Sequence, residues 1–229
     1  MDYQAVQKIA KDTINYIKAE IRSGMSLIEV RSLCENKMRE LGADSFWYYD
    51  IGAFVFSGDE TTLSVSGREY STSDRMIALD DIITIDLSPQ VGNTWGDYAR
   101  TVIIQNGEAV QSDEEVLNAE WHAGLEAEKK LHKRMTEIVS PEMTFEELYY
   151  QMNEYICEEG YINLDFMGNL GHSIVCKKED RIYIEKGNSA KLGDVHFFTF
   201  EPHISVSGSK YGYKRENIYY FDKDGIKEL

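Results

Sequence analysis

Apolar residues recur at three- and four-residue spacing from about Tyr3 to Ser23 and again from about Asp113 to Ile138, the periodicity of helices that bury one face. A second helical start follows each stretch. Met25-Ser26-Leu27-Ile28-Glu29-Val30 reappears as Met143-Thr144-Phe145-Glu146-Glu147-Leu148, and a glycine stands twelve residues after each copy, Gly42 and Gly160, at a shared offset of 118. Ser26 with Glu29 and Thr144 with Glu147 have the S/T-x-x-E spacing of a capping box, which predicts helices that begin there and end at their glycines. Short apolar runs bounded by turn residues then predict strands, at Ile51 to Phe56, Ile82 to Ser88 and Tyr98 to Gln105 in the first half. In the second half they fall at Ser173 to Cys176, Val195 to Ile204 and Asn217 to Phe221. The pattern is helix, helix, strands, given twice. It predicts a single α+β domain over residues 1–229, built of two pseudo-symmetric halves of approximately 1–108 and 109–229.

Acidic residues interrupt the strands at matching places. With a turn centred between Val91 and Gly92, the hairpin running from Ile82 to Ile104 sets Asp86 opposite Asp97. Like charges directly opposed across a ladder are destabilising unless a cation neutralises them. In the second half Glu201 ends the apolar run Val195 to Phe200, and Glu216 precedes Asn217 to Phe221. Carboxylates next to strands this apolar are costly unless paired or metal-bound. Asp86 to Glu201 is 115 residues and Asp97 to Glu216 is 119, both near the repeat offset. His172, in Gly168-Asn169-Leu170-Gly171-His172, adds an imidazole where glycines permit close backbone approach.

Composition narrows the partners. The 229 residues are 42% hydrophobic and 12% aromatic, a folding composition, yet carry 24 Lys plus Arg against 40 Asp plus Glu, a net charge of −16. With no basic block, this excludes nucleic acid and anionic membrane surfaces as partners and favours cations and amines. Cys34, Cys157 and Cys176 form no CxxC pair, which fits a reducing cytoplasm, and the opening residues show no export signal.

The motifs DLSPQVGNTWGDYART (with Asp86 and Asp97), NLGH (His172), FTFEP (Glu201) and KREN (Glu216) together resemble the pita-bread metallopeptidases, which include methionine aminopeptidase, aminopeptidase P and prolidase. The GDYART stretch is most similar to the D-x-x-R-T of aminopeptidase P and prolidase. The resemblance implies a bare catalytic domain holding two divalent ions (Mn²⁺, Co²⁺, Fe²⁺ or Zn²⁺). Asp86 binds one, His172 and Glu201 bind the other, and Asp97 and Glu216 bridge them. It further implies hydrolysis of an amide beside a free amino terminus, with Glu201 also moving the water's proton. Xaa-Pro substrates come first, Met-Xaa peptides or another C–N bond next, and a non-catalytic peptide-binding module stands as the rival. Two accessory histidines of the family are replaced, by Ser66 and Glu179, and GHGIG is GHSIV here, which puts ordinary peptidase activity in question. His203, two residues past Glu201, is a candidate proton donor if the strand continues unbroken; Trp95, Tyr98, Tyr211 and Tyr213 are candidate pocket residues.

Overall fold

A computed structural model describes residues 2–229. In the first half, α1 (Tyr3–Glu20) starts where Asp2 accepts from the Ala5 N–H at 2.8 Å, and α2 (Leu27–Glu40) starts at the Ser26–Glu29 capping box. In the second, α3 (Ala119–Ile138) is capped by Asn118, and α4 (Phe145–Glu158) by the Thr144–Glu147 box. The helices α2 and α4 sit 118 residues apart with equal lengths of 14 residues. Gly42 (φ 108°) and Gly160 (φ 85°) follow their last turns in the left-handed region that ends a helix without a Cβ penalty. The run predicted as helix from Asp113 starts six residues later; Asp113–Glu115 form a 3₁₀ turn before the Asn118 cap.

The first-half strands are β1 (Ser45–Phe46), β2 (Ala53–Ser57), β3 (Asp81–Leu87), β4 (Pro89–Val91), β5 (Thr94–Trp95), β6 (Tyr98–Gln105) and β7 (Glu108–Ala109). Those of the second half are β8 (Tyr161–Asn163), β9 (Ser173–Ile174), β10 (Phe197–Phe200), β11 (His203–Val206), β12 (Tyr213–Lys214), β13 (Asn217–Asp222) and β14 (Gly225–Glu228). Each half contributes a four-stranded and a three-stranded sheet, β2-β3-β6-β7 with β1-β4-β5, and β14-β13-β10-β9 with β12-β11-β8. All pairings within them are antiparallel.

Helices cover one side of each sheet pair. Ile14, Ile17, Leu27 and Met38 pack with Val55, Ile83, Ile85 and Val102, while Leu131, Met135, Phe145 and Met152 pack with Phe198, Phe200 and Ile204. On β3, Ile83 and Ile85 join the first cluster but Ile82 joins the second, so this strand is buried on both faces and reads as a continuous apolar run. A smaller cluster of Trp47, Trp95, Ile174, Phe197 and Ile218 draws from both halves. The seam is completed by the backbone N–H of Glu216, which donates to the Ala99 carbonyl at 3.1 Å, and by Arg100, which donates to the carbonyl of Glu216 and to Asn217 Oδ1.

Two expected strand geometries are corrected. The β3–β6 register pairs Asp86 with Ala99 and Leu87 with Tyr98, so the turn is centred one position later, between Gly92 and Asn93. Asp97 therefore lies outside the ladder, one residue before β6. The run Val195 to Ile204 is also two strands. It breaks at Glu201-Pro202, because proline cannot donate to a ladder, and β10 and β11 belong to different sheets.

Candidate metal centre

Asp97, His172 and Glu216 each offer one ligand atom, and these atoms lie within 4.8 Å of one another. All three side chains are buried. Local structure fixes each of them. Gln7, buried on α1, holds the backbone of Asp97 from both sides: its Nε2 donates to the Asp97 carbonyl at 2.6 Å, and the Asp97 N–H donates to its Oε1 at 3.0 Å. A Cβ on Gly96 would stand 2.8 Å from that Oε1, so the clamp depends on glycine there. His172 is held by β10, its N–H donating to Thr199 Oγ1 at 3.0 Å and its carbonyl accepting from the Thr199 N–H at 2.7 Å. Gly171 permits this approach, with φ 143° and a would-be Cβ 2.3 Å from the Thr199 carbonyl oxygen.

The His172 ring is oriented as a ligand requires. Nδ1 lies 3.1 Å from the Ser173 carbonyl and so carries the proton, which leaves Nε2 with its lone pair toward Asp97 Oδ2 at 3.4 Å and Glu201 Oε1 at 3.7 Å. Burial lowers the His172 pKa to about 4, keeping the ring neutral at pH 7. Burial, reinforced by Asp86, raises Asp97 well above the usual carboxylate range; burial, reinforced by Asp97, does the same to Glu216. Neither Glu216 oxygen has a hydrogen-bond partner. An orphaned buried carboxylate beside a second one and an unprotonated imidazole nitrogen is a donor set that fits a divalent first-row ion.

Glu201 and Asp86 complete the acidic group around a residue that the sequence reading passed over. Lys214, at the end of β12, places Nζ 2.5 Å from Asp86 Oδ2 and 3.3 Å from Glu201 Oε2. Burial alone would lower its pKa, but Asp86 and Glu201 outweigh that and hold it well above the ordinary lysine value. Burial raises the Glu201 pKa, with Lys214 and His172 opposing the rise. Lys214 stands two residues before Glu216, the spacing that along a continuous strand puts side chains on one face, and this was the available signal.

Asp86, Asp97, His172, Glu201 and Lys214 line one side of a cavity of about 430 Å³, with Glu216 behind them. Its other walls include Trp47, Tyr48, Phe54, Phe166 and Tyr183, whereas Trp95, Tyr98, Tyr211 and Tyr213, the expected pocket residues, do not line it. Trp95 instead supports the site, packing on Trp47 at 4.3 Å and His172 at 5.8 Å between ring centroids. His203 does line the cavity, although it reaches it from β11. Its Nε2 donates to the Thr61 carbonyl at 2.7 Å, and burial lowers its pKa to about 4. Ser66 and exposed Glu179 are not lining residues. Arg181 is one, with its guanidinium 4.7 Å from the Trp47 ring centre and 5.7 Å from that of Tyr183. Its Nε donates to the Lys178 carbonyl, and among the described residues no carboxylate forms an ion pair with it.

A buried O,O,N ligand set at the seam of two such halves is the arrangement of a metallopeptidase, and the chain belongs to metallopeptidase family M24, which it matches over residues 2–223. Its pita-bread fold is shared with the X-Pro aminopeptidase of Thermotoga maritima (TM-score 0.77, 24% identity, 99% of this chain and 58% of that one). The prolidase of Pyrococcus furiosus shares it likewise (TM-score 0.78, 23% identity, 99% and 61%), as does the methionine aminopeptidase of Thermotoga maritima (TM-score 0.76, 14% identity, 98% and 93%). In sequence the chain is 26% identical over 222 residues to the Xaa-Pro dipeptidase of Pyrococcus furiosus, covering 97% of this chain but 58% of that protein. No described helix is long and apolar enough to cross a membrane.

Proposed function

We propose that the protein is a metal-dependent peptidase that hydrolyses the first amide bond of short peptides with a free amino terminus, Xaa-Pro substrates foremost. The observation that carries this reading is the buried set Asp97, His172 and Glu216 with Glu201 beside it, of which Asp97, His172 and Glu201 line a cavity of dipeptide scale. Mn²⁺, Fe²⁺, Co²⁺ or Zn²⁺ suits these ligands, and such an ion lowers the pKa of a water and polarises a scissile carbonyl.

The chain's own residues supply the remaining tasks. Glu201 is the carboxylate placed to take the attacking water's proton and pass it to the leaving amine: its pKa is raised by burial, so it can hold a proton, and Lys214 keeps the ionised form accessible. The acidic floor attracts a protonated amino terminus. The aromatic walls exclude water and accept apolar side chains, including a proline ring. Arg181, a cation in no ion pair with a carboxylate among the described residues, recognises the free carboxylate of a dipeptide. His203, neutral at pH 7 with its Nε2 hydrogen committed to Thr61, leaves Nδ1 as the ring's unprotonated nitrogen. We assign it to handling a proton near Lys214 in place of the accessory histidines replaced by Ser66 and Glu179. Three free cysteines fit a reducing compartment such as the cytoplasm.

A panel of Xaa-Pro, Met-Xaa and other dipeptides, assayed with Mn²⁺ or Co²⁺, tests the reading. Preferential cleavage of Xaa-Pro supports it. Preference for Met-Xaa substrates moves the chain to a methionine aminopeptidase role, and peptide binding without cleavage by metal-loaded protein makes it a binding module.

A further inference from the structure

We propose a second binding site, for inorganic phosphate or the phosphate group of a small monoester, in the groove between α3 and the strands that end the chain. The groove shares no lining residue with the cavity of the candidate metal centre, and the proposal stands whether or not the peptidase reading does.

Sequence spacing builds the groove from both sides. Lys129, His132, Lys133 and Thr136 recur at three- and four-residue intervals on one face of α3. Opposite them, Asn217 and Tyr219 share a face of β13, and Arg215 stands two residues before. With Glu228 on β14 they bound about 260 Å³.

The floor is neutral and complete. Tyr219 Oη accepts from Asn217 Nδ2 at 3.2 Å and donates to His132 Nδ1 at 2.8 Å, and His132 Nε2 donates to the Arg215 carbonyl at 3.0 Å. Burial, reinforced by Arg215, holds the His132 pKa well below the ordinary histidine value, so the ring adds no charge. Glu228 is the acid of the lining, and its oxygens are taken by Lys11 and Asn217, each at 2.9 Å.

Arg215 is not settled in this way. Its Nε is buried with no hydrogen-bond partner, and among the described residues no carboxylate forms an ion pair with its guanidinium. Arg100 next to it spends its hydrogens on the Ala99 and Glu216 carbonyls and on Asn217 Oδ1, so it supplies like charge rather than relief. Lys133, its side chain 78% exposed, has Glu137 at 3.9 Å, and Lys129 is held by Asp113 and Glu126. The lining therefore sets three cations against one engaged acid, in a chain whose net charge is −16. A guanidinium fork with two flexible ammonium groups matches a dianion with several acceptor oxygens better than a single carboxylate.

The test is calorimetric titration of sodium phosphate at constant ionic strength into chelator-treated full-length protein, with circular dichroism confirming that each variant is folded. Wild type should bind one phosphate saturably. Arg215→Gln should weaken it by about tenfold or more, the scale of a charge-assisted hydrogen bond. Lys133→Glu, a charge reversal at an exposed position, should weaken it by about tenfold and keeps the test if Arg215→Gln does not fold. Arg181→Ala should leave it unchanged, which separates the groove from the other cavity. A phosphomonoester such as glycerol phosphate that binds more tightly than inorganic phosphate supports the site with an organic ligand, and one that binds equally or less tightly supports it with the free ion. Absence of saturable binding, equal competition by chloride, or loss in Arg181→Ala with retention in Arg215→Gln or Lys133→Glu overturns the proposal.

Discussion

Glu128 offers a perturbation whose size can be worked from the structure. It lies on α3, 2% exposed, and accepts from Thr101 Oγ1 at 2.6 Å; the same Thr101 oxygen accepts from the backbone N–H of Lys214. Burial pushes its carboxyl from 4.5 up to about 7, against the pull of that hydrogen bond and of Arg215 and Arg100. Between those two values the folded protein keeps a proton that the unfolded chain has released. The stability contributed by this proton is complete below pH 4.5 and is lost as pH rises through about 7. A gap of roughly 2.5 units corresponds to about 3 kcal/mol. Glu128→Gln keeps an oxygen for Thr101 and never ionises, so it escapes the loss. Chelator-treated wild type and Glu128→Gln are to be compared by urea unfolding from pH 4 to pH 9, since every other carboxylate titrates in both and cancels in the difference. The variant should gain on wild type by about 3 kcal/mol between pH 4.5 and pH 8, and at roughly 2–4 °C per kcal/mol its Tm advantage at pH 8 should be about 6–12 °C. Stability curves that stay parallel across this range would refute the reasoning, because they would mean that Glu128 ionises equally in both states.

Three further outcomes follow from the site. Asp97→Asn removes one of two adjacent buried carboxylates, so the chelated variant should melt above chelated wild type at pH 8, while Mn²⁺ should raise the Tm of wild type only; a scan of four samples decides it. Arg181→Ala should raise KM for dipeptides with a free carboxylate by about tenfold to a hundredfold, the scale of a charge-assisted hydrogen bond, and leave C-terminally amidated peptides nearly unaffected. Equal effects on both substrates would remove Arg181 from carboxylate recognition. His203→Ala should lower kcat with KM largely kept, and unchanged turnover would exclude His203 from the chemistry.

Features written locally in the chain were the readable ones. Both capping boxes are formed, with Glu29 and Glu147 returning to the backbone N–H of Ser26 and Thr144, because a cap involves only four consecutive residues. The strand Tyr98–Gln105 has its expected bounds, the helix repeat predicted the two α+β halves, and the pita-bread fold was implied by the family resemblance that the ordered acidic motifs carry. The hairpin register failed by one position because several turn geometries accept Val91-Gly92-Asn93 equally well, and only the β4–β5 pairing of Gln90 with Trp95 selects among them. The break after Glu201 was marked by Pro202, a signal outweighed by the apolar run around it. Arg181 was not readable. It owes its place to three aromatic rings, of which Trp47 and Tyr48 lie more than 130 residues away in sequence. Lys214 was readable only as a charge; that it meets Asp86, 128 residues earlier, depends on the docking of the two halves.

The seam on which these side chains meet also bears on how the protein matures. Asp97 belongs to the first half of the chain and His172 and Glu216 to the second, so the donors that could grip an ion tightly are separated by long stretches of chain. Loops of that length close late, after local helices and hairpins have formed. A chain emerging from the ribosome through its first half carries Asp86 and Asp97 but no imidazole and no glutamate to complete a cradle. An ion bound at this proposed site would be taken up only once both halves have folded and docked, since partly made protein gives scarce ions little to hold.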